Sequence, residues 1–519
     1  MKNRMWNVCV HVAVVFSAMA VASCALVSKD PSPGSDPGAL QPGTVSLTNN
    51  PLVAQYSISA PPSSDVEIEF GPDKTYGQKT WLQPAPAGGG TVSILVAGMR
   101  AATTYHMRAR VRVAFGREFV DSDHTFTTGA IAPGRLPQVT VTQPISLATS
   151  SGIELVDLFA GGTDQLRAVA LDEAGNVIWY YDFGPAGAAD SPFPMKLLPN
   201  GHLLMNVFGP DFQGYREIDL AGNTVQEYSV QTLNQKLAAS GFSLVAGGMH
   251  HDILPLANGH VIALVYESRT FTDLPGYPGQ TQVQGDALVD IDPQGNPVWT
   301  WSTFDHLDVN RHPMNFPDWT HSNAVIYSPD DGNLILSSRH QHWVMKILYR
   351  DGHGTGDILW RLGPGGDFSL TNGGPSDWNY GQHYPFLMSP QSSGTFPLAL
   401  FDNGNDRVVD ANGNVCGGST TPACYSRPVV FELDEFSKTA TILWQDKLPV
   451  FSPCCGSIDL LPNGDMEFDI ASASSSPQVT RVEEVTHTDN SQLVWQMNVT
   501  GQLAYRATRL PSLYPGVQW

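Results

Sequence analysis

Positive charge is scarce in this sequence. Lysine and arginine number 28 against 49 aspartates and glutamates, for a formal net charge of −21 over 519 residues. That balance argues against nucleic acid and anionic membrane surfaces as partners. A small anionic substrate stays open, because it answers to the local field of a pocket. Long apolar runs are also lacking: Val8–Val21 is too short and wrongly flanked to span a bilayer. No Walker A segment, no dinucleotide fingerprint after a strand–helix unit and no G-x-S-x-G elbow occurs, so phosphonucleotide cofactors are not indicated. No long amphipathic helical pattern is present. What abounds is glycine (49) and proline (39), spread along a chain that is 42% hydrophobic and only 15% charged. That composition belongs to an ordered chain of many short strands joined by turns, and the length calls for two or more domains.

Lys2 and Arg4 precede the apolar run, which ends in Val21-Ala22-Ser23-Cys24. Residues 1–24 therefore read as a signal peptide. A cysteine directly after small residues resembles a bacterial lipobox, with Cys24 as the lipidated first residue; plain cleavage with Cys24 incidental is the competing reading. Either way the chain is expected to be exported, periplasmic or at the cell surface, where cysteines meet oxidising conditions. Cys416 and Cys424 flank a short loop and are expected to pair. The adjacent Cys454 and Cys455 read either as a strained vicinal disulfide or as two buried thiols.

Residues 25–42 are rich in Pro, Gly and Ser and read as a tether. Over residues 43–130, "VEIEFG", "TVSILVAGM", "TTYHMRARVRV" and "HTFTTG" alternate as strands. Tyr105 takes the tyrosine-corner position of a small fibronectin type III-like β-sandwich. After a linker at 130–137, an irregular repeat runs from 138 to 519. Half of it is a strand after a turn, as in "LLPNGHLLMNV" and "LLPNGDMEFDI". The other half is an acidic turn leading to a tryptophan strand, at Trp179, Trp299, Trp360, Trp444 and Trp495. A four-stranded meander cannot bury both faces alone, whereas repetition about an axis buries them. The expected fold is all-β, with a six-bladed β-propeller behind the sandwich.

Four stretches carry polar residues out of place in a packed sheet. "GGMHHDILPL" holds His250, His251 and Asp252. "DWTHSNAV" holds His321 and Asn323. "LSSRHQHWV" holds Arg339, His340 and His342, and "NYGQHYPFLM" holds His383. At a channel mouth they could meet. Metal binding is one chemistry for them, but no spacing here is diagnostic. Histidines satisfied by backbone carbonyls are a second. The third is group transfer to a histidine nucleophile, with an arginine stabilising the moving oxyanion and further histidines carrying protons.

These stretches, with "ILWRLGPGGDF", "LFDNGNDR" and "YSRPVVFELDE" in that order, resemble the bacterial arylsulfate sulfotransferase family. The resemblance implies a six-bladed propeller that moves a sulfuryl group from a phenolic sulfate ester to a phenol. The implied route is ping-pong through a sulfated histidine, without 3′-phosphoadenosine-5′-phosphosulfate, other cofactor or metal. By motif, His383 is the nucleophile, joined by His321, Arg339 and His251, the last favoured over His250. Asn323 is expected as a further donor to sulfuryl oxygens, and His250, Tyr384 and Tyr425 as substrate contacts. The resemblance also implies a Cys416–Cys424 disulfide. Strand alternation sets His340 opposite Arg339, so His340 and His342 are expected to be structural. Two other classes compete: a lipid-anchored propeller binding a protein or glycan, and a metal- or quinone-dependent dehydrogenase.

Overall fold

Acidic turns set the rhythm of the chain. In "LDEAGNVIWYY" the Asp172 Oδ1 accepts the backbone N–H of Ala174 and of Asn176, at 3.1 and 2.8 Å. Gly175 takes φ +83° to close the turn. Asp219–Asn223 and Asp292–Asn296 repeat the device. Each turn ends one strand and starts the next with the apolar side inward.

The computed structural model describes residues 40–113, 116–159, 164–184, 190–210, 212–389 and 394–519. The signal segment, Cys24 and nearly all of the tether lie outside them. Pro42–Trp519 forms one compact unit. Its first part is a three-stranded sheet (Thr44–Leu47, Ala54–Ala60, Gly90–Val96) and a six-stranded one built on Asp65–Gly71 and Thr104–Val113. The Tyr105 hydroxyl accepts the Arg100 N–H at 3.0 Å, the contact expected of a tyrosine corner.

Six further sheets follow. The first holds Ile153–Phe159, Ala168–Asp172 and Val177–Tyr181, completed by the C-terminal strand Leu503–Leu510 with Ile153 opposite Leu510. The second runs from Ser191–Leu197 to Thr224–Ser229, the third from Gly248–Pro255 to Pro297–Ser302, and the fourth from Ser322–Ser328 to Ile358–Leu362. The fifth runs from His383–Leu387 to Thr439–Gln445. The sixth runs from Ile458–Leu460 to Leu493–Thr500 and takes Gln138–Gln143 at its edge. Both ends of this region are thus sewn into sheets made by the other end.

Each sheet ties to the next through aromatic side chains. Trp179 Nε1 donates to Leu220 O (2.8 Å), and the Tyr228 hydroxyl to Gly295 O (2.8 Å). Trp301 Nε1 donates to Gly356 O (2.8 Å), Trp360 to Glu435 Oε1 (2.7 Å) and Trp444 to Thr488 O (3.1 Å). Trp495 of the sixth sheet returns to Glu173 O of the first at 3.0 Å. The repeated tryptophan is therefore an inter-sheet tie, with its ring buried and its one donor satisfied.

One helix was not expected. Val230–Ala239 joins the second sheet to the third, capped by Ser229 accepting the Thr232 N–H. Only Leu233 and Leu237 are buried along it, one i, i+4 pair, too little periodicity to stand out in sequence.

Candidate active site

Strand irregularities place the histidines. His251 lies within Gly248–Pro255, His321 just before Ser322–Ser328, and His383 opens His383–Leu387. Each strand slips register against its neighbour there, between Met249 and Ile253, Ser322 and Ala324, and His383 and Phe386. His251, His321 and Tyr384 have φ of 56°, 44° and 49°. Such bulges with left-handed residues re-aim side chains that regular alternation would send to opposite faces, and strain of this kind gathers at functional sites. The His251 and His321 rings approach to 4.8 Å between centroids.

All three histidines have Nδ1 tied. His383 Nδ1 lies 2.6 Å from Asn403 Oδ1. The Asn403 Nδ2 donates to Ser452 O and Cys455 O, both at 2.9 Å, so its oxygen must face the ring. His383 Nδ1 is therefore the protonated nitrogen and Nε2 carries the lone pair, met at 3.2 Å by the Cys455 N–H. His321 Nδ1 sits 2.6 Å from Asp318 Oδ2. His251 Nδ1 sits 2.8 Å from His250 Nδ1, and His250 Nε2 lies 3.3 Å from Asp286 Oδ1 without hydrogen-bond alignment. That carboxylate favours a proton on His250 Nε2, which makes His251 the donor and leaves its own Nε2 free. Burial, then the charges of Arg339 and His321, holds His383 well below the usual histidine range. Burial and the neighbouring His321 do the same to His251. Both are neutral imidazoles at neutral pH.

Arg339 corrects one expectation. Arg339–Gln341 is a 3₁₀ turn closed by His342 at φ 54°, not a continuation of the strand Asn333–Ser338, so alternation does not apply. His340 joins the cluster instead of turning away. Its ring stacks on His321 at 4.5 Å, its Nε2 accepts from Arg339 Nη1 at 2.7 Å, and its Nδ1 donates to Asp318 O at 2.6 Å. Burial and the charges of His321 and Arg339 push it down to about 4. Arg339 Nη2 donates to Pro453 O at 2.9 Å, while its buried Nε–H has no partner. An unpartnered guanidinium N–H beside the neutral imidazoles of His340 and His383 is a seat for an anionic oxygen. His342 meets its expected role: its Nδ1 accepts the Gly381 N–H at 2.9 Å, two residues before His383.

The remaining expected contacts divide. Asn323 Nδ2 donates to Gln382 O at 2.8 Å, bracing the backbone before His383, and its buried Oδ1 has no partner. His250 is fully buried and stacked on Tyr266 at 3.6 Å, with its Nδ1 against His251. Tyr384 packs under the Arg506 guanidinium at 4.7 Å. Tyr425 lies under Arg407 at 4.3 Å, and its carbonyl accepts from that same side chain, which packs it against the Asp402–Arg407–Arg427 ion cluster. Cys416 and Cys424 are disulfide-bonded, as expected.

Several contributors were not foreseen. Asn403 lies in "LFDNGNDR" without a chemical signal of its own. Arg506 pairs with Asp252 at 3.2 Å, and Lys196 joins that carboxylate at 2.7 Å. Phe193 stacks on Tyr505 at 3.9 Å and edges His251 at 4.9 Å, an aromatic wall beside the imidazoles. Asp318, His321 and His340 offer ligand atoms within 4.8 Å of one another. His321 Nδ1 already pairs with Asp318 Oδ2, His340 Nδ1 with the Asp318 backbone carbonyl and His340 Nε2 with Arg339, so a cation there would face a guanidinium and compete with these contacts.

A family model described as Arylsulfotransferase (ASST) matches residues 139–506. The chain belongs to the arylsulfotransferase family. It is an aryl-sulfate sulfotransferase, an enzyme whose donors are phenolic sulfates and whose acceptors are phenols. No curated protein matches it. Similar solved structures are remote. A Synechocystis apocarotenoid oxygenase mutant is 10% identical over 85% of this chain and 80% of that one, with a TM-score of 0.28. A DUF4221 member from Bacteroides vulgatus is 10% identical over 72% and 99%, at 0.32. A putative glucose dehydrogenase from Thermus thermophilus is 10% identical over 59% and 96%, at 0.25.

Proposed function

We propose that the protein transfers sulfuryl groups by a ping-pong route through a sulfohistidine at His383, with no 3′-phosphoadenosine-5′-phosphosulfate. The observation that carries this is the neutral His383 ring, with Nδ1 held by Asn403 and its Nε2 lone pair in the same cluster as Arg339. In the first half, Nε2 attacks sulfur, the S–N bond forms and the S–O(aryl) bond breaks. The phenolate leaves with the bonding pair and takes a proton from a neighbouring imidazole or water. Arg339 Nε–H and the Cys455 N–H stabilise charge on the sulfuryl oxygens. In the second half a phenol oxygen attacks sulfur, its proton passes to Nε2 of His251 or His321, and the N–S bond returns its pair to His383.

The scaffold is read as a six-bladed β-propeller over residues 138–519, supported by the ring of aromatic ties that returns from Trp495 to Glu173. Residues 43–130 are read as a fibronectin type III-like sandwich. Residues 1–24 are read as a lipoprotein signal that anchors the exported enzyme through Cys24 by way of the 25–42 tether; Cys24→Ala is expected to release it from membranes into the soluble fraction. The test of function is incubation with p-nitrophenyl sulfate, with and without phenol. Phenol-dependent nitrophenolate release and a sulfated His383 peptide in the phenol-free sample are expected. Release that ignores phenol would make the protein a sulfatase instead.

A further inference from the structure

Cys454 and Cys455 stand next to the proposed nucleophile, and the chemistry above uses neither thiol. Both are free, and Cys455 Sγ donates to Cys454 Sγ at 2.9 Å. Cys454 is partly exposed, whereas Cys455 is buried with φ +67°. Their backbone is the support of the site. The N–H that meets His383 Nε2 belongs to the peptide bond joining the two cysteines. The carbonyl before it, Pro453 O, anchors Arg339, and Cys455 O with Ser452 O orients Asn403. Nucleophile, guanidinium and tautomer-setting amide thus all lean on residues 452–455.

We propose that the Cys454–Cys455 pair is a modification site for thiol–disulfide exchange, and that its oxidation switches sulfuryl transfer off. The inference rests on His383 being the attacking group. The ligand class is a small disulfide or the disulfide of an oxidoreductase. The Cys454 thiolate attacks one sulfur of that disulfide, whose S–S bond breaks and releases one thiolate. Cys455 then gives up its proton and attacks Cys454 Sγ, releasing the second thiolate. Two protein thiols are oxidised and one disulfide is reduced to two thiols.

Geometry favours this pair. The sulfurs need only close from 2.9 Å to a bond of about 2.0 Å. The hydrogen bond from Cys455 and the charge of Arg339 both favour the thiolate at Cys454, the more exposed partner. The consequence follows from connectivity. Closing the bond makes a small ring that contains the Cys454–Cys455 peptide. That peptide must twist, which turns its N–H away from His383 Nε2 and from the sulfuryl oxygens to be bound there. Loss of one such donor lowers the rate on the order of 10²-fold.

The experiment treats the full protein with 2-hydroxyethyl disulfide, then follows sulfation of His383 by p-nitrophenyl sulfate alongside peptide mapping. A Cys454–Cys455-linked peptide, an intact Cys416–Cys424 link, and a sulfation rate roughly 10²-fold lower that dithiothreitol restores are expected. Cys454→Ser should form no link, and its sulfation rate should be the same with and without the disulfide, whatever its own untreated rate. A linked pair with an unchanged sulfation rate overturns the switch while leaving the nucleophile standing, and so does failure of the pair to link under disulfide that fully oxidises free dithiothreitol. An adduct on another residue of the reduced enzyme overturns the His383 reading instead, and nitrophenolate release then reports the switch.

Discussion

The Asn403 side-chain oxygen holds His383 Nδ1 at 2.6 Å, and two backbone carbonyls leave the amide no other orientation. An amide, unlike a carboxylate, fixes the tautomer without favouring the imidazolium. The ring stays neutral, with its Nε2 lone pair turned toward the Cys455 N–H.

Asn403→Asp should separate these two effects. A carboxylate at that distance stabilises the protonated ring, so the folded-state pKa of His383 rises from its depressed value. The acidic limb of the pH–rate profile should then move upward, with turnover recovering at higher pH. Asn403→Leu should instead lower kcat on the order of 10²-fold at every pH, because the ring is no longer held in one tautomer. Parallel pH–rate profiles of both variants distinguish them; identical profiles would reduce Asn403 to packing.

Arg339 spans His340 Nε2 and Pro453 O, and its buried Nε–H has no partner among the described residues. Arg339→Ala should cost about 3 kcal/mol of transition-state stabilisation, on the order of 10²-fold in kcat. Arg339→Lys should recover little of it, because an ammonium cannot meet both anchors and still present a fixed N–H. Single-turnover kinetics with p-nitrophenyl sulfate measures this, and near-parent activity in the lysine variant would place Arg339 outside the transition state.

Much of the arrangement was legible in the residues, for stated reasons. Trp179, Trp299, Trp360, Trp444 and Trp495 recur because each of them ties its sheet to the next through its indole N–H. His251, His321, Arg339 and His383 were conspicuous as polar groups beside apolar strands. His340 was misread because a 3₁₀ turn replaces the strand at Arg339, and nothing local signals that turn. The Cys455 N–H and Pro453 O could not be seen, because backbone groups carry no residue identity. That His250 is fully buried on Tyr266 was not legible either, because the left-handed φ falls on its neighbour His251.

Stability should depend on pH through two sets of buried groups with opposite sign. Burial pushes His340 down to about 4 and His342 to about 3, from an ordinary 6.5. Between those values and 6.5 the unfolded chain binds more protons than the folded one, so stability falls as pH drops through that window. Burial pushes Asp157 and Asp459 up to about 8, from an ordinary 3.8. There the folded chain holds the extra protons, so stability falls as pH rises towards about 8. Above 6.5 only the carboxyl contribution remains. His342→Asn, which can still accept the Gly381 N–H, should flatten the acid limb. Asp157→Asn should flatten the decline from 6.5 to 8. Urea midpoints across pH 4 to 8 test both, and unchanged slopes would mean these groups titrate normally.

Beside the imidazoles, Asp252 is a buried joint between several strands. It pairs with Arg506 at 3.2 Å and Lys196 at 2.7 Å, and accepts the backbone N–H of Ile253 and Val325 at 2.9 and 3.0 Å. Arg506 in turn donates to Asn323 O at 3.0 Å. Removing the carboxylate strands a buried guanidinium, which costs about 3–5 kcal/mol. Asp252→Ala should therefore lower stability by that order in urea titration. Adding Arg506→Met should return part of the loss, because the double variant no longer buries a stranded guanidinium, although Lys196 still lacks its Asp252 partner. A double variant as unstable as the sum of the singles would show that Arg506 is held by Asn323 and Tyr384, with Asp252 incidental to it.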